Sequence, residues 1–157
     1  REEGHRYLAH FIHIHLAELD VIERRLRRAM RGLSTAKRCL ANSRLSYGNE
    51  VEVIEIIELA ILYERGDFKK VRENSARLRE SLLKGDSWSE LFLQLTRISV
   101  LSIYFTEGLE AAQEELEVFQ ADYVRRHAER ATTIICLPAP ILAKALHQYS
   151  GRMQVFL

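Results

Sequence analysis

Apolar positions recur along this chain at helical spacing. Ile22, Leu26, Ala29, Leu33, Ala36 and Leu40 follow one another in steps of three and four, which lays one apolar stripe along an α-helix. Arg24, Arg25, Arg27, Arg28, Arg31, Lys37 and Arg38 fill the positions between them. The same spacing returns at Phe68, Val71, Ser75, Leu78 and Leu82, and again at Leu109, Ala112, Leu116, Phe119 and Tyr123. Each stripe predicts an amphipathic helix that covers a neighbour on one side only. The segments preceding them, residues 8–19, 51–63 and 91–105, are apolar nearly all round and predict buried helices. Residues 51–57 are rich in β-branched side chains and resemble a strand, but the continuation through Leu59-Ala60-Ile61-Leu62 makes the run long enough for a buried helix.

Boundary signals agree with this division. Residues 43–48 read as a turn, with Asn49 as the N-cap of the next helix and Glu52 completing a capping box. Gly66-Asp67 breaks the chain, residues 84–87 make another turn with Ser87 and Glu90 as a second capping box, and Gly108 marks a third corner. Pro138 and Pro140 stop a helix, and Pro140 suits the first turn of a last one reaching about Tyr149. Laid over one another, the corners near Asp20, Asp67, Gly108 and Gly151 recur at intervals of roughly 40 residues, somewhat longer than a tetratricopeptide unit.

The pattern predicts an all-α fold of antiparallel helical-hairpin repeats, a tetratricopeptide-like α-α superhelix of about seven helices, in which inner helices are buried and outer ones face solvent. Residues 1–157 form a single such domain. The fourth corner falls close to Leu157 and the chain opens Arg1-Glu2-Glu3 without methionine, so a piece of a longer protein is expected. Its apolar end at residues 153–157 offers a homodimer contact.

Composition narrows the function classes. Of the 157 residues, 47% are hydrophobic and 29% charged, with a net charge of +1, so the chain as a whole is no electrostatic magnet for nucleic acid. No run of apolar residues is long enough to span a membrane. Cys39 and Cys136 are far apart and outside any C-x-x-C, which fits a reduced, cytoplasmic protein.

Chemistry-bearing residues are sparse. His5, His10, His13 and His15 share one helix, but no third ligand lies at a known spacing, so no metal is expected. Arg24, Arg28, Arg31 and Arg38 fall near one helix face without interleaved aromatics, as on a solvated outer helix. Glu114, Glu115 and Glu117 sit on an outer helix, and Glu52, Glu55 and Glu58 on an inner one. No nucleophile or acid is placed beside them, so neither catalysis nor a cofactor is expected. Inner helices line the groove of such arrays, which makes Glu55 and Glu58, with Thr96 and Arg97 one repeat on, the candidate partner-binding residues.

Residues 59–68, LAILYERGDF, resemble a hairpin corner of the large LuxR-type bacterial regulators built like the maltose regulon activator (MalT-like). Residues 7–16 resemble the repeat before that corner, and residues 88–112 the repeat after it. The resemblance implies the central helical module of a transcription regulator, which receives a protein partner or a small-molecule inducer and relays it to a nucleotide-binding switch. The sequence contains no phosphate-binding loop and no helix-turn-helix, so nucleotide and DNA would be bound only by domains absent from this chain. The alternatives are a tetratricopeptide-like adaptor holding a peptide or protein in its groove, and an α-helical enzyme, which would require a buried histidine–carboxylate pair.

Overall fold

Among the described residues, three with positive φ turn the chain. Arg24 (58°), Gly66 (74°) and Gly108 (96°) lie 42 residues apart (66 less 24, and 108 less 66). The first two corners close in the same way. Arg25 N–H donates to the Asp20 carbonyl (2.7 Å) and Arg24 N–H to that of Val21 (2.9 Å). Asp67 N–H donates to Leu62 and Gly66 N–H to Tyr63, both at 2.9 Å. This paired closure is the Schellman motif, with a left-handed residue just past the helix. The third corner uses one bond, from Gly108 N–H to the Tyr104 carbonyl (3.1 Å), and Gly108 in turn accepts the first bond of the next helix from Ala112. The corner expected near Asp20 thus turns one helical turn later, at Arg24. Ile22, expected on the outer stripe, ends the first helix as an exposed residue.

An added Cβ at Gly66 or Gly108 meets nothing within 4 Å, so only the backbone opposes a side chain there. Gly108→Ala is expected to cost ~1–2 kcal/mol. Arg24→Gly is expected to be neutral or stabilising by up to ~1 kcal/mol. Urea unfolding of both variants checks the pair of signs.

The computed structural model describes residues 2–42, 49–84 and 89–126. Within them the chain is all-α: α1 (Glu2–Ile22), α2 (Leu26–Ala41), α3 (Glu50–Glu64), α4 (Phe68–Lys84), α5 (Ser89–Glu107) and α6 (Leu109–Arg126). The expected seventh helix, the corner near Gly151 and the Ser87 cap lie outside the described residues. The segment 51–57 is helical. Consecutive helices pair into three antiparallel hairpins, and each later inner helix packs on both helices of the hairpin before it: α3 on α1 and α2, α5 on α3 and α4.

Apart from Ile22 and Leu109, which are exposed, the stripe positions expected on the outer helices are buried or partly buried. Ala29, Leu33 and Ala36 of α2 close over Ile14 and Ala17 of α1 and meet Ile54, Ile57 and Ile61 of α3. Val71, Leu78 and Leu82 of α4 share a second core with Leu91, Phe92 and Leu95 of α5 and Phe119 of α6. The capping box at Asn49 does not form. Asn49 makes no side-chain cap bond, and the Glu52 carboxylate instead accepts from the Ser81 hydroxyl of α4 (3.2 Å).

Candidate interaction surface

The inner helices carry the candidate groove residues, and the structure shows what each touches. Glu58 of α3 pairs with Lys37 of α2 (2.6 Å), and Glu55 with Arg77 of α4 (2.9 Å). The two glutamates therefore tie α3 to an outer helix on either side, while Glu58 stays half-exposed. Thr96 is buried, and its hydroxyl donates to the Phe92 carbonyl of its own helix (2.7 Å). Arg97 is exposed. The corner interval of 42 residues places Glu55 at the position of Arg97, and of His13 in α1, rather than at that of Thr96.

The histidines of α1 point apart. His10 is fully buried, with Nδ1 3.1 Å from the Ala36 carbonyl of α2. His15 is exposed and lies 3.0 Å from the Glu18 carboxylate. Among the described residues no three histidine, cysteine or acidic side chains gather as a metal-binding group. Arg28 of the arginine row stays exposed but reaches back to α1. With Arg25 it grips Asp20, whose side chain is only 5% exposed, at 3.2 and 2.7 Å. On α6, Glu115 and Asp122 flank the Arg79 guanidinium of α4, at 3.7 and 3.5 Å, as it stacks over the Phe119 ring (4.9 Å to the centroid). Lys84, through a hydrogen bond and its charge, holds the Glu80 carboxyl below the usual carboxylate range. That pair sits on an exposed helix surface one turn apart, far from the geometry of a buried catalytic acid.

The feature that the hydropathy pattern hides is on α1. A helix apolar all round predicts burial all round, yet α1 leaves Leu8 (58%), Ile12 (50%), Leu16 (43%), Leu19 (52%) and Ile22 (75%) exposed along one face. The opposite face holds Ile14 and Ala17 against α2. Beside the exposed stripe runs a ladder of rings: Tyr7 and Phe11 edge to face at 5.0 Å, then Phe11 and His15 stacked at 6.4 Å. Contiguous exposed apolar surface of this kind marks an interaction site. Among the described residues no helix is long and apolar enough to cross a membrane. No protein-family model, curated protein or solved structure matches the chain.

Proposed function

We propose that this chain is a protein-interaction and relay module of a cytoplasmic bacterial transcription regulator of the LuxR type, built like the maltose regulon activator. The observation that carries the reading is the corner at residues 63–67. The Tyr-Glu-Arg-Gly-Asp segment on which the resemblance rests is a closed Schellman turn, with Gly66 in the left-handed conformation joining α3 to α4. A stack of hairpins with tight corners suits a relay, because a partner gripping one inner helix acts on hairpins packed directly on their neighbours. The module performs no chemistry. A protein partner or small inducer contacts the inner helices at Glu58 and Arg97, with Glu55 and Thr96 beside them, and DNA is read by another domain of the regulator.

Two measurements test this. A helix-turn-helix encoded downstream of Leu157 supports the reading; a gene without one removes the regulator and leaves an adaptor. In the whole regulator, Glu58→Lys with Arg97→Glu is expected to lower induced reporter transcription ~10-fold or more, the loss of one or two interface hot spots, while thermal unfolding changes little. Unchanged induction overturns the assignment of these residues.

A further inference from the structure

The exposed stripe of α1 has internal counterparts. Carried forward by the corner interval of 42 residues, Leu8, Ile12, Leu16, Leu19 and Ile22 correspond to Glu50, Ile54, Glu58, Ile61 and Glu64 of α3. All five counterparts meet the hairpin before them. Glu50 accepts from the Tyr7 hydroxyl of α1 (2.9 Å), Glu58 pairs with Lys37 of α2 (2.6 Å), and Glu64 with Arg24 at the corner (3.7 Å). Ile54 and Ile61 share a core with Ile14, Ala29 and Leu33. The pattern repeats one interval later, on α5. Phe92 shares a core with Leu59 and Val71, and Tyr63 packs against the core that holds Val100 and Ile103. This face of an inner helix is therefore the seam with the preceding hairpin, and α1 presents it open to solvent.

The side chains state what kind of hairpin fits. The seam on α3 is tied by three carboxylates, each facing a hydroxyl or a cation of the first hairpin. At those three positions α1 carries Leu8, Leu16 and Ile22. A cation set against them would lose water and gain no counter-charge. A second copy stacked through its first hairpin would do that, placing Lys37 against Leu16 and Arg24 against Ile22. In the described array, moreover, each seam joins hairpins consecutive in the chain, as stacked repeats do.

We infer that the α1 face seats a further helical hairpin of the same polypeptide, the one preceding α1, which carries no charge where the first hairpin has Arg24 and Lys37. The inference is independent of the regulator reading, which turns on what is encoded downstream of Leu157.

The test compares the 157-residue chain with the natural polypeptide that contains it. Leu16→Cys is treated with iodoacetamide, and labelling is read by mass spectrometry of the peptide that carries position 16, relative to the same protein in urea. The melting temperature of the variant checks that the fold is kept. In the 157-residue chain, labelling is expected to be fast at every protein concentration. In the longer polypeptide it is expected to be ~10-fold or more slower, because the seam must open first. Starting that polypeptide at Arg1 is expected to restore fast labelling. The residues encoded before Arg1 are expected to read as two helices, uncharged at the positions one interval before Arg24 and Lys37. Equal labelling in the two proteins, protection that survives a start at Arg1, or an upstream sequence with no such helix pair overturns the proposal. So does protection that grows with the concentration of the 157-residue chain, which would give the face to a second copy.

Discussion

Phe119→Ala is expected to destabilise the chain by ~3–5 kcal/mol. Phe119 is 1% exposed and joins α4, α5 and α6 in one core. Its ring meets Phe92 edge to face at 5.5 Å, and Phe92 in turn meets Tyr123 at 5.2 Å. The Arg79 guanidinium also lies over the Phe119 ring. Truncation leaves a void that rigid helices on both sides cannot collapse. It also takes away the cation–π contact while Arg79 remains tied to Glu115 and Asp122. Phe119→Leu, which fills most of the volume, is expected to cost far less. Stability in a stacked array is a sum over neighbours, so the loss has a location. Amide hydrogen exchange is expected to accelerate in α5 and α6 of the Ala variant and to stay nearly unchanged in α1 and α2. Uniform acceleration along the chain would show that the hairpins unfold as one unit.

The second large effect is electrostatic and asymmetric. Asp20 is buried at the foot of α1, and Arg25 and Arg28 are its cationic partners. Removing both arginines leaves a carboxylate in the interior without a counter-charge, which is expected to cost about 3 kcal/mol. Removing the carboxylate instead frees two arginines that are already half in water. Asp20→Ala is therefore expected to cost only about 1 kcal/mol. The triple variant should recover most of the double variant's loss, since the stranded charge is gone. Urea denaturation of the three proteins tests the order; equal losses for the single and double variants would show that the arginines contribute through packing alone.

These two sites also mark where sequence reasoning stops. The outer stripes are legible in α2, α4 and α6 because a one-sided helix shows its period directly, and Leu33, Leu78 and Phe119 are buried as that period requires. Nothing in the period reveals that a charged residue one turn before a corner, Asp20, lies inside, because its partners come from the far side of the turn. Arg24 is invisible as a turning residue for a related reason. Left-handed conformation is advertised by glycine, as at Gly66 and Gly108, and an arginine that adopts it carries no such sign. The inner helices are legible as apolar but not as faces. Hydropathy alone does not separate Ile54, closed under the first hairpin, from Ile12, open to solvent. The candidate groove has the same difficulty: Glu55 and Glu58 stand out as the polar edge of α3, but their pairing with Arg77 and Lys37 depends on which outer helices stand beside them.

The doubled duty of Gly108, which ends α5 and opens α6, shortens the third corner by one residue. Its consequence is that the two layers of the array fall out of step between the second and third hairpins. Inner positions repeat every 42 residues throughout, as Ile54 and Thr96 do, whereas the step from α4 to α6 is 41 (112 less 71). Val71 matches Ala112, Ser75 matches Leu116 and Leu78 matches Phe119, all buried. At the inner period, the same α4 residues would fall on Gln113, Glu117 and Gln120, none of them buried. From the first hairpin to the second a period of 42 aligns both layers, as Ala29 with Val71 and Ile12 with Ile54 show; from the second to the third, any single period aligns one layer and scrambles the other. The kinship among these hairpins is held in paired helix faces, and a consensus hairpin drawn from this chain has to be averaged separately for each layer before the two are rejoined.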